Sequence, residues 1–154
     1  RLDFAGKLKN GAEIYVDYAH TPDALEKAIS ALRPYVKNHL AVAFGCGGDR
    51  DKTKRPKMGK VADDFADIVY VTDDNPRTEV ASTIRSEVLA GCPNKGQDAG
   101  DRRSAIRLAV SKLQSGDILL LAGKGHEDYQ IIGTTKHHFD DKEEAAAAIK
   151  ELDK

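Results

Sequence analysis

Residues 67–79 read DIVYVTDDNPRTE. The first six form an apolar, β-branched run of the length of a buried strand, and the rest gather carboxylates, an amide, a proline and an arginine where that strand must stop. An apolar run that ends in a polar loop and leads into a helical stretch is the repeating unit of a parallel sheet, covered on both faces. Whether the unit recurs decides the fold, and it does. AEIYVD (12–17), LAVAFG (40–45) and DILLLAG (117–123) are runs of the same kind. Stretches of helical spacing follow them: Pro22 to Tyr35 with Leu25, Ile29 and Leu32 on one face, Pro56 to Ala66, Glu79 to Ala90, and Arg102 to Leu113. Thr21 before Pro22 is an N-cap and first-turn pair, and Thr78 is expected to cap the helix from Glu79. The order βαβαβαβ predicts a Rossmann-like α/β fold: an open, mostly parallel sheet with helices on both faces. Asn10-Gly11 and Gly133 predict a hairpin near each end, and a last helix spans Lys142 to Leu152. The polar stretch Gly91 to Gly100 reads as the loosest segment, and no repeat or linker divides residues 1–154.

Composition agrees with one such domain. A chain of 154 residues buries roughly 70% of its unfolded surface, enough for one ordinary core. Lys+Arg 24 against Asp+Glu 25 nearly cancel, so no overall field points to nucleic acid or an anionic membrane. Cys46 and Cys92 form no C-x-x-C spacing, no run approaches a membrane span, and no stretch reads as a signal peptide; a soluble protein of a reducing compartment is expected. The chain opens on Arg1 and its single methionine is Met58, so a piece of a longer protein is expected.

In an open α/β sheet the ligand crevice lies beyond the carboxyl ends of the strands. The segments that fall there are DYAHTPD (17–23), GCGGDRDKTKR (45–55), DDNPRTE (73–79) and GKGHEDYQ (123–130). GCGGDR begins like a dinucleotide fingerprint, but Arg50 stands at the third glycine position, and a turn that projects Arg50 into the crevice fits better. No G-x-x-x-x-G-K-[ST] phosphate loop occurs. His20 and His126 have no third residue at metal-ligand spacing, so no metal site is expected; His137 and His138 read as surface residues, and Cys46 as a small residue in a glycine turn. In DDNPRTE, Pro76 stiffens the loop that presents Asp74, Asn75 and Arg77. A guanidinium suits a carboxylate and an aspartate suits an ammonium, so the loop is a receptor for a zwitterionic amino-acid group or, in the structural alternative, an Asp-Arg pair capping the next helix.

Four motifs, DYAHTPDALEKAI (17–29), FGCGGDRDKTKRPKMG (44–59), VTDDNPRTE (71–79) and LLLAGKGHEDYQIIG (119–133), together resemble the C-terminal domain of the bacterial Mur ligases, in the branch that adds diaminopimelate. The likeness runs across essentially the whole chain. It implies a cytoplasmic, ATP-dependent ligase in which a central domain, helped by Mg²⁺, phosphorylates the carboxylate of UDP-N-acetylmuramoyl-L-alanyl-D-glutamate, while this domain delivers the amine of meso-diaminopimelate. The N-terminal UDP-binding and central ATPase domains of that family have no counterpart here. Carried over by position, the resemblance assigns Arg50, Asp74, Asn75, Pro76, Arg77, Gly123 and Glu127 to the diaminopimelate site, and Arg1, Asp17 and His20 to the nucleotide side. No catalytic residue is assigned within this domain, and the chain alone is expected to be inactive. Alternatives are a stand-alone amino-acid-binding domain, a dinucleotide-binding oxidoreductase domain on the same architecture, and a ligase adding L-lysine.

Overall fold

The computed structural model describes residues 1–153. Its strands are β1 (Asp3–Lys7), β2 (Glu13–Asp17), β3 (Leu40–Phe44), β4 (Ile68–Thr72), β5 (Gly96–Gly100), β6 (Ile118–Ala122), β7 (Tyr129–Ile132) and β8 (Thr135–His138). Its helices are α1 (Pro22–Leu32), α2 (Lys54–Phe65), α3 (Ala81–Leu89), α4 (Arg102–Ser111) and α5 (Asp141–Leu152). Six strands form one sheet in the order β1-β2-β6-β3-β4-β5, and β7 and β8 form a separate hairpin. β1 pairs antiparallel with β2, as Asn10-Gly11 foretold, and every other pair in the large sheet is parallel.

Side-chain alternation along the central strands divides the core in two. Leu40, Val42 and Phe44 of β3, with Ile118, Leu120 and Ala122 of β6, pack against α1, α2 and α3. Ala41, Ala43, Leu119 and Leu121 point the other way, toward α4 and α5. Each large aliphatic side chain buried in this way contributes about 1.5–3 kcal/mol. The two central strands are covered on both faces, which is why they read as continuous apolar runs.

Element ends differ from the sequence reading in physically simple ways. Pro34 cannot donate a hydrogen bond to a helix, and α1 gives way at Leu32 to a 3-10 turn over Arg33–Tyr35. Thr21 caps α1 through its hydroxyl, 3.2 Å from the Ala24 nitrogen. Thr78 does not cap α3, which starts at Ala81 with Val80 at its N-cap. The Thr78 hydroxyl instead donates to Asp49, at 2.7 Å. The segment read as loosest holds an edge strand, β5, paired in parallel with β4. GQDAG has neither apolar alternation nor β-branched residues; main-chain pairing with β4, and the Thr72 hydroxyl donating to the Gly100 carbonyl at 2.6 Å, hold it in place.

A buried ion pair fixes the carboxyl edge of the sheet. Arg102 of α4 and Asp141 of α5 are 1% and 0% exposed and form a bidentate pair, Nε and Nη2 of the guanidinium donating to the two carboxylate oxygens at 2.8 and 2.7 Å. The same guanidinium donates to the carbonyls of Asp73, just past β4, and Ala122, the last residue of β6. Removing one partner of such a pair costs about 3–5 kcal/mol. Two strand-end loops are thereby set relative to each other.

Candidate functional site

Loops from the carboxyl ends of β2, β3, β4 and β6, with Tyr129 of β7, enclose a cavity of about 400 Å³. Of the residues singled out from the sequence, His20, Arg50, Asp74, Asn75, Arg77, Gly123 and Glu127 line it, joined by Tyr18, Gly47, Lys54 and Tyr129. Pro76, Arg1 and Asp17 do not line the cavity. Pro76 lies beneath it, where a Cβ on Gly48 would stand 1.8 Å from its carbonyl oxygen. The Arg1 side chain extends into solvent, and Asp17 is buried at the end of β2, facing the Arg1 backbone nitrogen. His20 is exposed, its ring 4.6 Å from that of Tyr18, and His126 reaches outward to Asp3 at 3.0 Å. His137 and His138 lie exposed on β8.

The glycine loop after β3 and the loop after β4 are clasped together. Gly48 N–H donates to the Asn75 carbonyl at 2.7 Å, Thr78 bonds to the Asp49 carboxylate, and the Asp49 N–H donates to Glu79 at 2.7 Å. Arg55, fully buried, binds Glu79 and the Gly47 carbonyl. The hydrogen bond from Arg55, seconded by the Asp49 N–H, pulls the Glu79 carboxyl down to about 2. The hairpin β7–β8 adds a third wall: Arg77 N–H donates to the Ile131 carbonyl at 3.0 Å, Gly133 N–H to the Arg77 carbonyl at 2.7 Å, and the Gln130 amide to the Asp74 carbonyl at 2.7 Å.

Within DDNPRTE the fold takes up nearly every charge. Asp73 pairs with Arg85 at 2.7 Å, and burial raises its pKa despite that partner. Asp74 lies 3.1 Å from Lys124, an ionic contact rather than an aligned hydrogen bond. The Asn75 side-chain oxygen accepts from Lys124 at 3.1 Å and from the Ile131 N–H at 2.9 Å. Arg77 gives one nitrogen to the Gly48 carbonyl at 3.0 Å, and its other guanidinium donors have no partner among the described residues. Among the described residues Arg50 bonds only to the carbonyl of Asp49, at 2.9 Å, and Glu127 carries only the Tyr129 hydroxyl, at 3.4 Å. The cavity therefore holds two guanidiniums with free donors and two carboxylates, Glu127 with free acceptors and Asp74 with its charge met by Lys124, an arrangement complementary to a carboxylate beside an ammonium.

Sequence reasoning missed Tyr18, Lys54 and Tyr129 in the wall, and the buried Lys124, Arg55 and Arg102 behind it. Lys124 had a signal: it stands one glycine beyond the all-apolar β6, between two glycines whose φ is positive, Gly123 at 115° and Gly125 at 54°. Its ammonium is buried, and burial lowers its pKa while the Asp74 charge works against that shift. Cys46 is buried, which pushes its thiol up to about 11, as suits a packing residue. Among the described residues no three His, Cys, Asp or Glu side chains converge as metal ligands, and no helix is long and apolar enough to cross a membrane.

Fold and site define an α/β domain with a charged crevice of about 400 Å³ at the carboxyl edge of its sheet. A family model described as Mur ligase, glutamate ligase domain, matches residues 1–125, and the chain belongs to that family. It is 57% identical over 143 residues to UDP-N-acetylmuramoyl-L-alanyl-D-glutamate–2,6-diaminopimelate ligase of Trichormus variabilis, covering 92% of this chain and 29% of that relative. The ligase of the same name from Mesorhizobium japonicum is 54% identical over 151 residues, covering 98% and 31%. A solved structure of a ligase of that name superposes with a TM-score of 0.92 at 42% identity, covering 98% of this chain and 31% of that one. The chain thus spans 29–31% of the length of these relatives.

Proposed function

We propose that this chain is the amino-acid-binding domain of an ATP-dependent cytoplasmic ligase that joins meso-diaminopimelate to UDP-N-acetylmuramoyl-L-alanyl-D-glutamate, a step in making peptidoglycan precursor. Relatives named for those substrates support the reading. The observation that carries it is Arg77, locked in place through its backbone and one guanidinium nitrogen while its remaining donors face the cavity. Diaminopimelate has a carboxylate beside an ammonium at the end remote from the reacting amine. Arg77 takes that carboxylate through two charge-assisted hydrogen bonds, with Arg50 in support. Glu127 takes the ammonium, since the charge of Asp74 is already met by Lys124.

Holding the far end fixes the near end. Orientation of the attacking amine is worth several kcal/mol of barrier. ATP with Mg²⁺ supplies the phosphoryl group that activates the acceptor carboxylate, and the residues described here act on the other reactant, the amine. Arg1, a guanidinium in solvent, and His20, an exposed imidazole, fit contact with a polyphosphate presented from outside this chain. In the full-length ligase, Arg77→Ala should raise the apparent KM for diaminopimelate at least about tenfold with less effect on the KM for ATP. Steady-state kinetics with each substrate varied in turn checks this, and an unchanged diaminopimelate KM would overturn the reading.

A further inference from the structure

We propose that Lys124 is a positioning residue of the amino-acid site: it fixes the Asn75 amide with its nitrogen toward the ligand and balances the Asp74 charge beside it. This deepens the reading of the crevice given above and rests on it. The Lys124 side chain is 0% exposed, and a charge so buried persists only with partners around it. Its ammonium donates to Asn75 Oδ1 at 3.1 Å and to the Tyr129 carbonyl at 2.9 Å, and stands 3.1 Å from Asp74 Oδ1.

Asn75 Oδ1 also accepts the Ile131 N–H at 2.9 Å. Two donors converge on one atom of the amide, and only the oxygen end of an amide accepts, so the group cannot turn over. Its Nδ2 has no partner among the described residues and is not sealed from solvent, and Asn75 lines the cavity. A ligand carboxylate thus meets an N–H donor of set direction beside Arg77. Asp74 Oδ1 is buried without a hydrogen bond, and Lys124 is its ion-pair partner.

A lysine that merely neutralised Asp74 would hold the fold and nothing more. The two roles separate in a double-mutant cycle on the full-length ligase, using Lys124→Met, Asn75→Ala and the pair, with diaminopimelate and ATP varied in turn. Each single change should raise the diaminopimelate KM about 10- to 100-fold, the range of one charge-assisted hydrogen bond, with the ATP KM little altered. The pair should raise it no further than the larger single effect, because Lys124 acts through Asn75. Should thermal melts show Lys124→Met to be unfolded, Lys124→Met/Asp74→Asn removes the stranded carboxylate charge and takes its place in the cycle. A normal diaminopimelate KM in the folded Lys124 variant, or effects that multiply in the pair, overturns the assignment. Arg77→Ala, run alongside, separates the two claims. If it impairs amino-acid use while the Lys124 variant does not, the Lys124 role alone fails; if it is silent, the amino-acid site itself fails and the Lys124 role with it.

Discussion

Arg77 holds a backbone φ of 53°, in the left-handed region where a side chain other than glycine costs of order 1–3 kcal/mol. The hairpin keeps it there, bonding both its N–H and its carbonyl. Its neighbours serve the fold first: Asp73 is held by Arg85, Asp74 by Lys124, Thr78 by Asp49 and Glu79 by Arg55. Glu79 gives a pH test of that clasp. Its folded pKa is depressed from 4.5 to about 2, so its contribution to stability is whole above pH 4.5 and is lost as pH falls toward 2. Glu79→Gln should lower the Tm at neutral pH and flatten the loss of Tm across that acid interval; melts at a series of pH values would show it, and parallel curves for the two proteins would contradict it. The sequence made Arg77, Asn75 and Asp74 legible as a charged loop on a strand end. It could not show that Asp74 is already occupied, because Lys124 lies 50 positions further on and meets it through the sheet, at 3.1 Å.

At the scale of elements, two adjacent glycines do different work. A Cβ on Gly47 would stand 2.9 Å from the Arg77 guanidinium, the movable end of a side chain, whereas a Cβ on Gly48 would stand 1.8 Å from the Pro76 carbonyl, which is backbone. Gly47→Ala should therefore displace Arg77 and raise the amino-acid KM several-fold while Tm holds, an effect sized like a weakened hydrogen bond. Gly48→Ala should force the two loops apart and destabilise by at least about 2 kcal/mol. Kinetics paired with denaturant melts distinguish them, and equal stability losses in both would refute the distinction. The strands around the site were readable because burial on both faces leaves an unbroken apolar run, as in β3 and β6. β5 was not, since an edge strand held by main-chain pairing leaves no side-chain signature. Thr78 was misread for a related reason: a threonine before a helical stretch signals a cap, and only the neighbouring loop shows that Asp49 claims its hydroxyl.

For the whole molecule, strand order matters most. β6 returns between β2 and β3, so the loop carrying Lys124 and Glu127 lands beside the glycine loop and across from DDNPRTE. With the loop after β2, four segments distant in sequence thereby make one crevice, at the edge where open α/β sheets bind ligands. Its central property is the match between free guanidinium donors and carboxylate acceptors, and the amino acids that test it are meso-diaminopimelate and L-lysine, alike at the reacting end. Lysine brings only an ammonium to Arg77, leaving that charge desolvated without an acceptor, at a cost of about 2–5 kcal/mol. The most direct measurement is kcat/KM for each amino acid in competition, on the full-length ligase and on its Arg77→Ala variant. The account predicts a preference for diaminopimelate of about 30-fold to several-thousand-fold, largely erased by Arg77→Ala. Equal use of lysine by the unaltered enzyme, or a preference that survives the loss of Arg77, would contradict it.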